Sequence, residues 1–411
     1  MAAIVDRAGA SAPVPALAVT AWTATTAAGP GRGALAGALR EERSALRRND
    51  FGPRCGNGEP LPCWIGRVAG LEESPLPASL SDWECRNNRL AWLALRQDGV
   101  LEAATRAIAR YGAGRVALVV GTSTASIGAT EEGYAALQPD GRLPRQLARP
   151  QLHSPHSLGG FLQQALGLGG PVQTVATACS SSAKVFAQAA RLLRAGFADA
   201  ALVGGVDTLC GSVLFGFNAL ELVSPEPCRP FDVARRGLSL GEAGGFALLE
   251  REGDGPWLVG YGESSDAHHM SSPHPEGLGA RLAMRQALAR AGRRAGEVDY
   301  INLHGTATPK NDEVEAAAVA ALFPASTRAS STKGVTGHTL GAAGIVESVV
   351  VLLALEQGFV PGTQNCGTPD PACGPQLALR NEPRECRLAM NNSFGFGGNN
   401  CSLLFERGPA R

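Results

Sequence analysis

The amino-acid sequence predicts an α/β protein that is built from two similar halves. Short β-branched segments alternate with longer segments rich in alanine and leucine, an alternation that is typical of strands and helices in α/β folds. The order of these segments in the first part of the chain recurs in the second. With 411 residues, the chain exceeds the usual length of one domain, so we expect one large domain with two halves or two closely packed domains.

In the first half, four β-branched segments predict strands. Each is a short, apolar run of the length that is expected for a buried strand. The second of them leads into an alanine-rich amphipathic pattern, which predicts a helix that ends near Gly196. The predicted strands cover residues 115–124, 171–179, 198–209 and 244–252.

The second half repeats this order, and its active residues are expected at the carboxyl ends of the strands. We place the boundary at residue 255, so that the N-terminal half is 1–255 and the C-terminal half is 256–411. The predicted elements of the second half are a strand at 297–308, a helix at 311–323, a strand and loop at 328–338, a helix at 341–357, and two strands around a glycine-rich turn at 387–406.

Composition excludes several classes of function. The 37 basic and 37 acidic side chains balance, so no overall field favours nucleic acid or an anionic membrane. Asp6 and Arg7 stand where a signal peptide needs an apolar run. The most apolar later stretch, from Ile345 to Leu355, is interrupted by Glu347 and is too short to span a bilayer. We therefore expect a cytoplasmic protein without a membrane span.

The ten cysteines are expected to be reduced thiols, as is usual in the cytoplasm. Cys366 and Cys373 lack the spacing of metal ligands, so no metal site is expected. No G-x-G-x-x-G sequence opens a helix after the first strand, which argues against a dinucleotide site.

Cys179 is the first candidate for chemistry. It follows a predicted strand and stands at the first turn of a predicted helix, where free N–H groups and the helix dipole stabilise a thiolate. The alternative is a cysteine that is simply packed in the core. A nucleophile needs a base or a charge-stabilising donor, and two histidines qualify. His304 in LHGTAT and His338 in STKGVTGH occupy equivalent loops among small residues.

The glycine-rich turn NNSFGFGGNN is the second candidate feature. Its N–H groups could line an oxyanion site, and Phe394 or Phe396 could cover a pocket. The alternative is a hairpin with ordinary turn glycines.

Taken together with RPFD at 229–232, these stretches occur in the order and spacing of one family. The chain resembles β-ketoacyl-acyl-carrier-protein synthases of the elongating, Cys-His-His type. The resemblance implies a thiolase-like fold, with two βαβαβαββ halves in α-β-α-β-α layers. It also implies an acyltransferase that carries out a decarboxylative Claisen condensation of malonyl-acyl-carrier protein with an acyl chain.

The same resemblance assigns roles to single residues. Cys179 is expected to accept the acyl chain, and His304 and His338 to act on the malonyl group. Lys333 is expected to be their electrostatic partner, and Glu347 to help organise the site.

Further residues match the family's binding positions. Thr306 and Thr308 are expected to hold the phosphopantetheine arm, which arrives on the acyl carrier protein, so the enzyme needs no cofactor of its own. Phe396 is expected to be the gate, with its N–H and that of Cys179 forming the oxyanion hole. Thr124 falls at an acyl-pocket position where fatty-acid enzymes carry an aliphatic residue or glycine, which indicates a chain other than a plain saturated one.

Within the family, the chain looks most like the ketosynthases of bacterial aryl-polyene pathways. Such enzymes often pair with a chain-length-factor-like subunit, so the resemblance implies either that heterodimer or the homodimer that is usual in fatty-acid synthesis. One departure is Arg236, which stands where the family usually has an acidic residue. The alternatives are a housekeeping fatty-acid synthase, a non-catalytic partner subunit and a thiolase. A thiolase needs a second cysteine in a Cys-Gly-Gly context, whereas Cys401 lies in NNCSLL.

Overall fold

The structure is a computed structural model that describes residues 13–144 and 147–408. Its helices are α1 (Gly31–Arg40), α2 (Arg86–Leu95), α3 (Val100–Tyr111), α4 (Ile127–Ala135), α5 (Ser157–Leu166), α6 (Ser181–Arg194), α7 (Gly211–Ala219), α8 (Leu278–Ala291), α9 (Pro309–Leu322), α10 (Lys333–Thr336) and α11 (Ala343–Gln357). Its strands are β1 (Leu17–Thr25), β2 (Arg47–Arg48), β3 (Trp64–Gly66), β4 (Val116–Gly121), β5 (Val172–Val175), β6 (Ala200–Asp207), β7 (Leu240–Gly241), β8 (Ala243–Glu250), β9 (Trp257–Ser265), β10 (Tyr300–Asn302), β11 (Arg328–Ser330), β12 (Phe359–Val360), β13 (Glu382–Pro383), β14 (Leu388–Gly395) and β15 (Asn399–Glu406).

Ten of these strands form one mixed sheet in the order β11-β10-β14-β15-β9-β1-β8-β6-β4-β5. Each half of the chain contributes five strands in the same spatial order. Three are parallel (β5, β4 and β6; β11, β10 and β14), and the other two run antiparallel to their neighbours. The halves join where β1 pairs with β9, with Leu17 opposite Leu258. The prediction of two similar α/β halves is therefore confirmed.

The first strand of each half was not located from the sequence. Both faces of β1 are largely buried, so its sequence LAVTAWTAT lacks the alternation that marks a half-exposed strand. β9 begins at Trp257, directly after the predicted boundary. β1 and β9 pair within one sheet, so residue 255 divides two repeats that share a core. That residue 255 is also a boundary between domains stays a prediction.

The layers follow from where the apolar helix faces point. α6 and α11 lie in the core between the two halves of the sheet, where Phe186 of α6 packs edge-on against Phe405 of β15. α2, α3 and α5 cover the outer face of the first half, and α8 and α9 cover that of the second. This is the expected α-β-α-β-α arrangement.

α11 is apolar on all sides, and every residue from Ala343 to Leu355 is buried. Together with the turn before it, Leu340–Gln357 is an 18-residue helical stretch with a mean hydropathy of 1.7, and 89% of it is buried inside the protein. By length and composition this stretch could cross a membrane, so the expectation that it is too short was wrong. A core helix has the same composition, because it is surrounded by apolar side chains.

Gly344 lets the two central helices meet at their N-termini. A Cβ atom at this position would lie 2.3 Å from the backbone nitrogen of Ala183 in α6. The Ile345 N–H donates to Ser182 Oγ at 2.9 Å, which fixes the same contact. The crossing thus sets the distance between the loop before α6 and the loop before α11.

We predict that Gly344→Ala lowers the free energy of unfolding by about 1–3 kcal/mol, because the added methyl group overpacks the crossing. Chemical denaturation measures this loss. Gly33→Ala is the matched control: this helix glycine of α1 is exposed, and a Cβ there meets nothing within 4 Å. The control is expected to keep or slightly raise stability. Equal stabilities for the two variants would contradict the close contact.

Candidate active site

Cys179 lies in a tight turn between β5 and α6. Ala178 before it has a φ of 52°, a left-handed conformation that is uncommon for a residue with a side chain. Ser181 fixes the turn, since its hydroxyl accepts from the Thr177 N–H at 2.9 Å and donates to the Ala178 carbonyl at 2.6 Å. Cys179 therefore precedes the first residue of α6 by two positions. The sequence had placed Cys179 within the first turn of the helix, and the structure places it just before that turn.

The loops after β10 and α10 bring both predicted histidines to this thiol. His338 Nε2 lies 3.1 Å from Cys179 Sγ. The rings of His304 and His338 stand almost perpendicular, with their centroids 5.3 Å apart. All three side chains are buried. Cys179 thus forms one cluster with two histidines that follow it 125 and 159 positions later in the chain.

Hydrogen bonds assign the tautomer of each imidazole. The Leu340 N–H donates to His338 Nδ1 at 3.2 Å, so the ring proton is on Nε2. Lys333 Nζ lies 3.5 Å from His304 Nδ1, and because an ammonium can only donate, the His304 proton is also on Nε2. Burial, and then the charge of Lys333, hold the pKa of both histidines well below the usual value. Both rings are therefore neutral N–H donors.

A buried ion pair supports His304. The Lys333 ammonium donates to a carboxylate oxygen of Glu347 and to the backbone carbonyl of His304. Both charged side chains are almost fully buried. Burial raises the pKa of Glu347 to about 7, although the Lys333 charge acts in the opposite direction. Of the two residues that the resemblance had singled out, Lys333 thus contacts the histidine loop directly, and Glu347 acts on it through Lys333.

Two carboxylates in α9 hold the same loop, and neither was identified from the sequence. Glu315 accepts from the N–H groups of His304 and Gly305, both at 2.8 Å. Asp312 accepts from the Thr306 N–H at 3.0 Å and from the Phe231 N–H at 2.8 Å. Burial raises the pKa of Glu315 to about 7 and that of Asp312 to about 6. The sequence did contain a signal for them: two acidic residues three positions apart, on one face at the start of a helix that directly follows LHGTAT.

The glycine-rich turn approaches the thiol from the other side. The Phe396 N–H forms a hydrogen bond to Cys179, while the Phe396 ring stacks on Phe217 with centroids 5.7 Å apart. Burial raises the pKa of the Cys179 thiol to about 11, against the lowering effects of Lys333 and the Phe396 N–H. The sequence had emphasised the helix terminus, which favours the thiolate. Burial outweighs these effects in the free enzyme.

Cys179, His304 and His338 line a cavity of about 350 Å³. Phe396, Thr306 and Thr308 line it as well, and the hydroxyl oxygens of the two threonines lie 2.8 Å apart. The structure thus places the predicted arm-binding and gate residues in the same cavity as the predicted nucleophile.

Thr124 has a different position. Its hydroxyl donates to the buried carboxylate of Asp207 at 2.7 Å, and Asp207 also accepts from the Ser123 N–H at 2.9 Å. Thr124 is therefore held in a clamp beside the cavity and is not one of the residues that line it. Arg236 is exposed, and Cys401 is buried in β15 opposite Ser393.

The catalytic cluster could also hold a metal ion. Among the described residues, Cys179, His304 and His338 form the group whose thiol and ring nitrogens all lie within 4.8 Å of one another. A thiolate and two imidazoles are ligands that zinc accepts.

Two family models cover most of the chain. The beta-ketoacyl synthase N-terminal domain matches residues 82–255, and the beta-ketoacyl synthase C-terminal domain matches residues 257–367. The chain belongs to the beta-ketoacyl synthase family. This confirms the family that the sequence motifs indicated, and with it an acyltransferase of the thiolase-like fold.

Individual relatives agree with this membership. Nodulation protein E of Rhizobium meliloti (strain 1021) is 37% identical over 328 residues, which are 76% of this chain and 79% of that protein. The 3-oxoacyl-(acyl-carrier-protein) synthase 2 of Vibrio cholerae is 37% identical over 320 residues, 72% of this chain and 76% of that protein. The ketosynthase ApeO, solved in complex with its chain length factor ApeC from Xenorhabdus doucetiae, is similar with a TM-score of 0.87 and 37% identity, over 96% of this chain and 98% of that one.

We predict that Lys333→Met lowers the free energy of unfolding by about 3–5 kcal/mol, because it leaves the Glu347 carboxyl buried without its partner. The folded-state pKa of Glu347 is raised above its usual value of 4.5, and losing Lys333 raises it further. The loss should therefore grow as the pH rises above about 7, where Glu347 ionises in the unchanged protein and in the unfolded chain but not in the folded variant, and it should shrink below that pH. Denaturation at about pH 8 and about pH 6 measures both effects.

The double variant Lys333→Met, Glu347→Leu is the control, since it removes both charges. It should recover most of the stability but not the activity. A single variant that is as stable as the unchanged protein at both pH values would show that the pair is not structurally coupled.

Proposed function

We propose that the chain is a β-ketoacyl-acyl-carrier-protein synthase that joins a malonyl unit to an acyl chain held on Cys179, with loss of CO2. The observation that carries this proposal is the cluster in which Cys179 Sγ lies 3.1 Å from His338 Nε2 while the His304 ring lies 5.3 Å from the His338 ring. One thiol and two neutral N–H donors on one cavity wall suit acyl storage followed by enolate stabilisation.

In the first half-reaction, the Cys179 sulfur attacks the carbonyl carbon of an acyl thioester. The negative charge that develops on the carbonyl oxygen is held by the N–H groups of Cys179 and Phe396. The bond to the pantetheine sulfur breaks, and the thiol proton of Cys179 ends on that leaving thiol. The hydrogen bond from Phe396 to the sulfur favours the thiolate that burial disfavours, so attack begins from a minor, reactive form.

In the second half-reaction, a malonyl thioester enters the cavity and loses its carboxylate as CO2. The electron pair of the broken bond forms an enolate, whose oxygen accepts hydrogen bonds from His304 Nε2 and His338 Nε2. The carbanion carbon attacks the acyl carbonyl on Cys179, and the released Cys179 sulfur takes up one proton from water, which balances the negative charge that the malonyl carboxylate brought in. The product is a β-ketoacyl thioester that is two carbons longer. Every step balances without an electron acceptor, so no redox cofactor is needed.

The phosphopantetheine arm is delivered by an acyl carrier protein. The paired hydroxyls of Thr306 and Thr308 line the cavity and suit the amide groups of such an arm. The Thr306 N–H is tied to Asp312, so the loop that presents these hydroxyls is rigid before the substrate arrives. This preorganisation reduces the entropy that is lost on binding.

The pathway that we propose is the synthesis of aryl polyenes or related polyenes. ApeO is 37% identical over 96% of this chain, whereas the beta-ketoacyl synthase of Burkholderia phymatum STM815 is 26% identical over the same share. Housekeeping fatty-acid elongation is the alternative. A non-catalytic subunit is disfavoured because Cys179, His304 and His338 are all present.

A second subunit of the same fold is the partner that we propose, either another copy or a chain-length-factor-like chain. β5 is an edge strand of the large sheet, and all four of its residues are only partly buried. Ile127 and Tyr134 of α4 are large apolar side chains that are exposed. Sheet edges and exposed apolar side chains are both kinds of surface that a partner covers. ApeO was solved with its chain length factor.

We predict that Cys179→Ala abolishes both the acyl-enzyme and the β-ketoacyl product, while the protein remains folded because alanine fits the same turn. Intact-mass spectrometry after incubation with acyl-acyl-carrier protein detects the adduct. Cys386→Ala, at another fully buried cysteine, is the matched control and should still be acylated. An acyl adduct on Cys179→Ala would remove the nucleophile assignment.

For the pathway, we predict that the enzyme extends polyenoic acyl chains about tenfold or more faster than saturated chains of equal length, both presented on acyl carrier protein. Product analysis by mass spectrometry gives the two rates. A strict preference of the unchanged enzyme for saturated chains would assign it to fatty-acid elongation instead.

A further inference from the structure

A second cavity of about 300 Å³ lies between the N-termini of α2 and α7. Its volume is at the lower end of the range for small-molecule sites. Apolar side chains such as Phe51, Ala129 and Leu209 form much of its wall. This cavity, called the distal cavity below, contains no residue that the proposed reaction uses.

One polar side chain in the wall of the distal cavity has no partner. Asn87 is 2% exposed, and neither its amide nitrogen nor its amide oxygen has a hydrogen-bond partner in the described part of the chain. A buried, unpaired carboxamide is costly, so a protein rarely retains one without a use. Other polar groups of the same wall are engaged: Ser126 donates to Leu152 O, and Glu131 accepts from the N–H groups of Gly211 and Ser212.

One cluster of packed apolar side chains contributes to the walls of both the distal cavity and the catalytic cavity. Leu209 lines the distal cavity, Leu238 lines the catalytic cavity, and both belong to that cluster together with Leu340. The hydrogen bond between Thr124 and Asp207 also lies close to the distal cavity in the chain. Ser126 is two residues after Thr124, Thr208 directly follows Asp207, and both line that cavity. An acyl chain on Cys179 would have to pass between these packed leucines to enter the distal cavity.

We propose that the distal cavity holds the far end of the acyl chain, and that Asn87 hydrogen-bonds a terminal hydroxyl group there. A carboxamide offers both a donor and an acceptor, which matches a hydroxyl that both donates and accepts. Glu131 and Glu132 in the same wall disfavour a terminal carboxylate, and the guanidinium of Arg86, which also lines the wall, is already paired with Glu242 and Glu72. This inference rests on the proposed function, since it names the class of acyl chain that Cys179 carries.

The test compares two acyl-pantetheine thioesters of equal length, one ending in a methyl group and one in a hydroxyl group. Intact-mass spectrometry follows the acylation of Cys179. The unchanged protein should react about tenfold or more faster with the hydroxyl-ended probe, because that probe satisfies the Asn87 amide. Asn87→Leu should lose this preference while its rate with the methyl-ended probe stays the same. Ser157→Ala, which removes a buried and unpartnered hydroxyl elsewhere, should keep the preference.

Each outcome decides a different statement. If neither probe acylates Cys179, the proposed function fails. If both acylate it at equal rates, the proposed function stands and the role of the distal cavity is overturned. If the preference persists in Asn87→Leu, the hydroxyl is read by another residue and Asn87 is excluded. If Asn87→Leu does not fold, the smaller variant Asn87→Ala replaces it, and the comparison on the unchanged protein still decides whether a terminal hydroxyl is recognised.

Discussion

The buried ammonium of Lys333 is the group on which the active site depends. It contacts the Glu347 carboxylate, the backbone carbonyl of His304 and the Nδ1 face of the His304 ring. A charge in this position keeps the neighbouring imidazoles from taking up a proton, because a second positive charge in the same low-dielectric space is unfavourable. It also directs the His304 proton to Nε2. The proposed chemistry needs two neutral donors. Burial is the larger cause that lowers the pKa of both rings, and the charge of Lys333 adds to it.

The fold provides the surroundings that this ammonium requires. Glu347 lies in α11, a helix whose other buried residues are mainly apolar, so the ion pair is shielded from water. The loops after β10 and α10 carry the histidines, and the loop after β5 carries the thiol. The crossing of α6 and α11 at Gly344 fixes the distance between the thiol and His338. The positions of Cys179, His304 and His338 therefore depend on both the apolar core and the Lys333–Glu347 ion pair.

The sequence indicated much of this site because its key residues lie in short, compact stretches. Cys179, His304 and His338 each stand in a loop of small residues after a strand or short helix, Lys333 begins the short helix α10, and the family resemblance assigned a role to each of them. The parts that were missed depend on contacts between distant segments. Packing determines both the hydrogen bonds of Glu315 to the His304 loop and the pairing of β1 with β9. A local sequence pattern carries no information about such contacts. The raised pKa of the Cys179 thiol also arises from burial, which local sequence does not reveal.

The protonation state of the two histidines is the most direct measure of the central claim. Nitrogen-15 NMR of the protein with labelled histidine distinguishes the imidazolium from each neutral tautomer. His304 and His338 should both be neutral, with the proton on Nε2, and should stay so as the pH falls through the usual histidine pKa of 6.5. An imidazolium signal from either residue near neutral pH, or a proton on Nδ1, would contradict the role that the structure gives to Lys333.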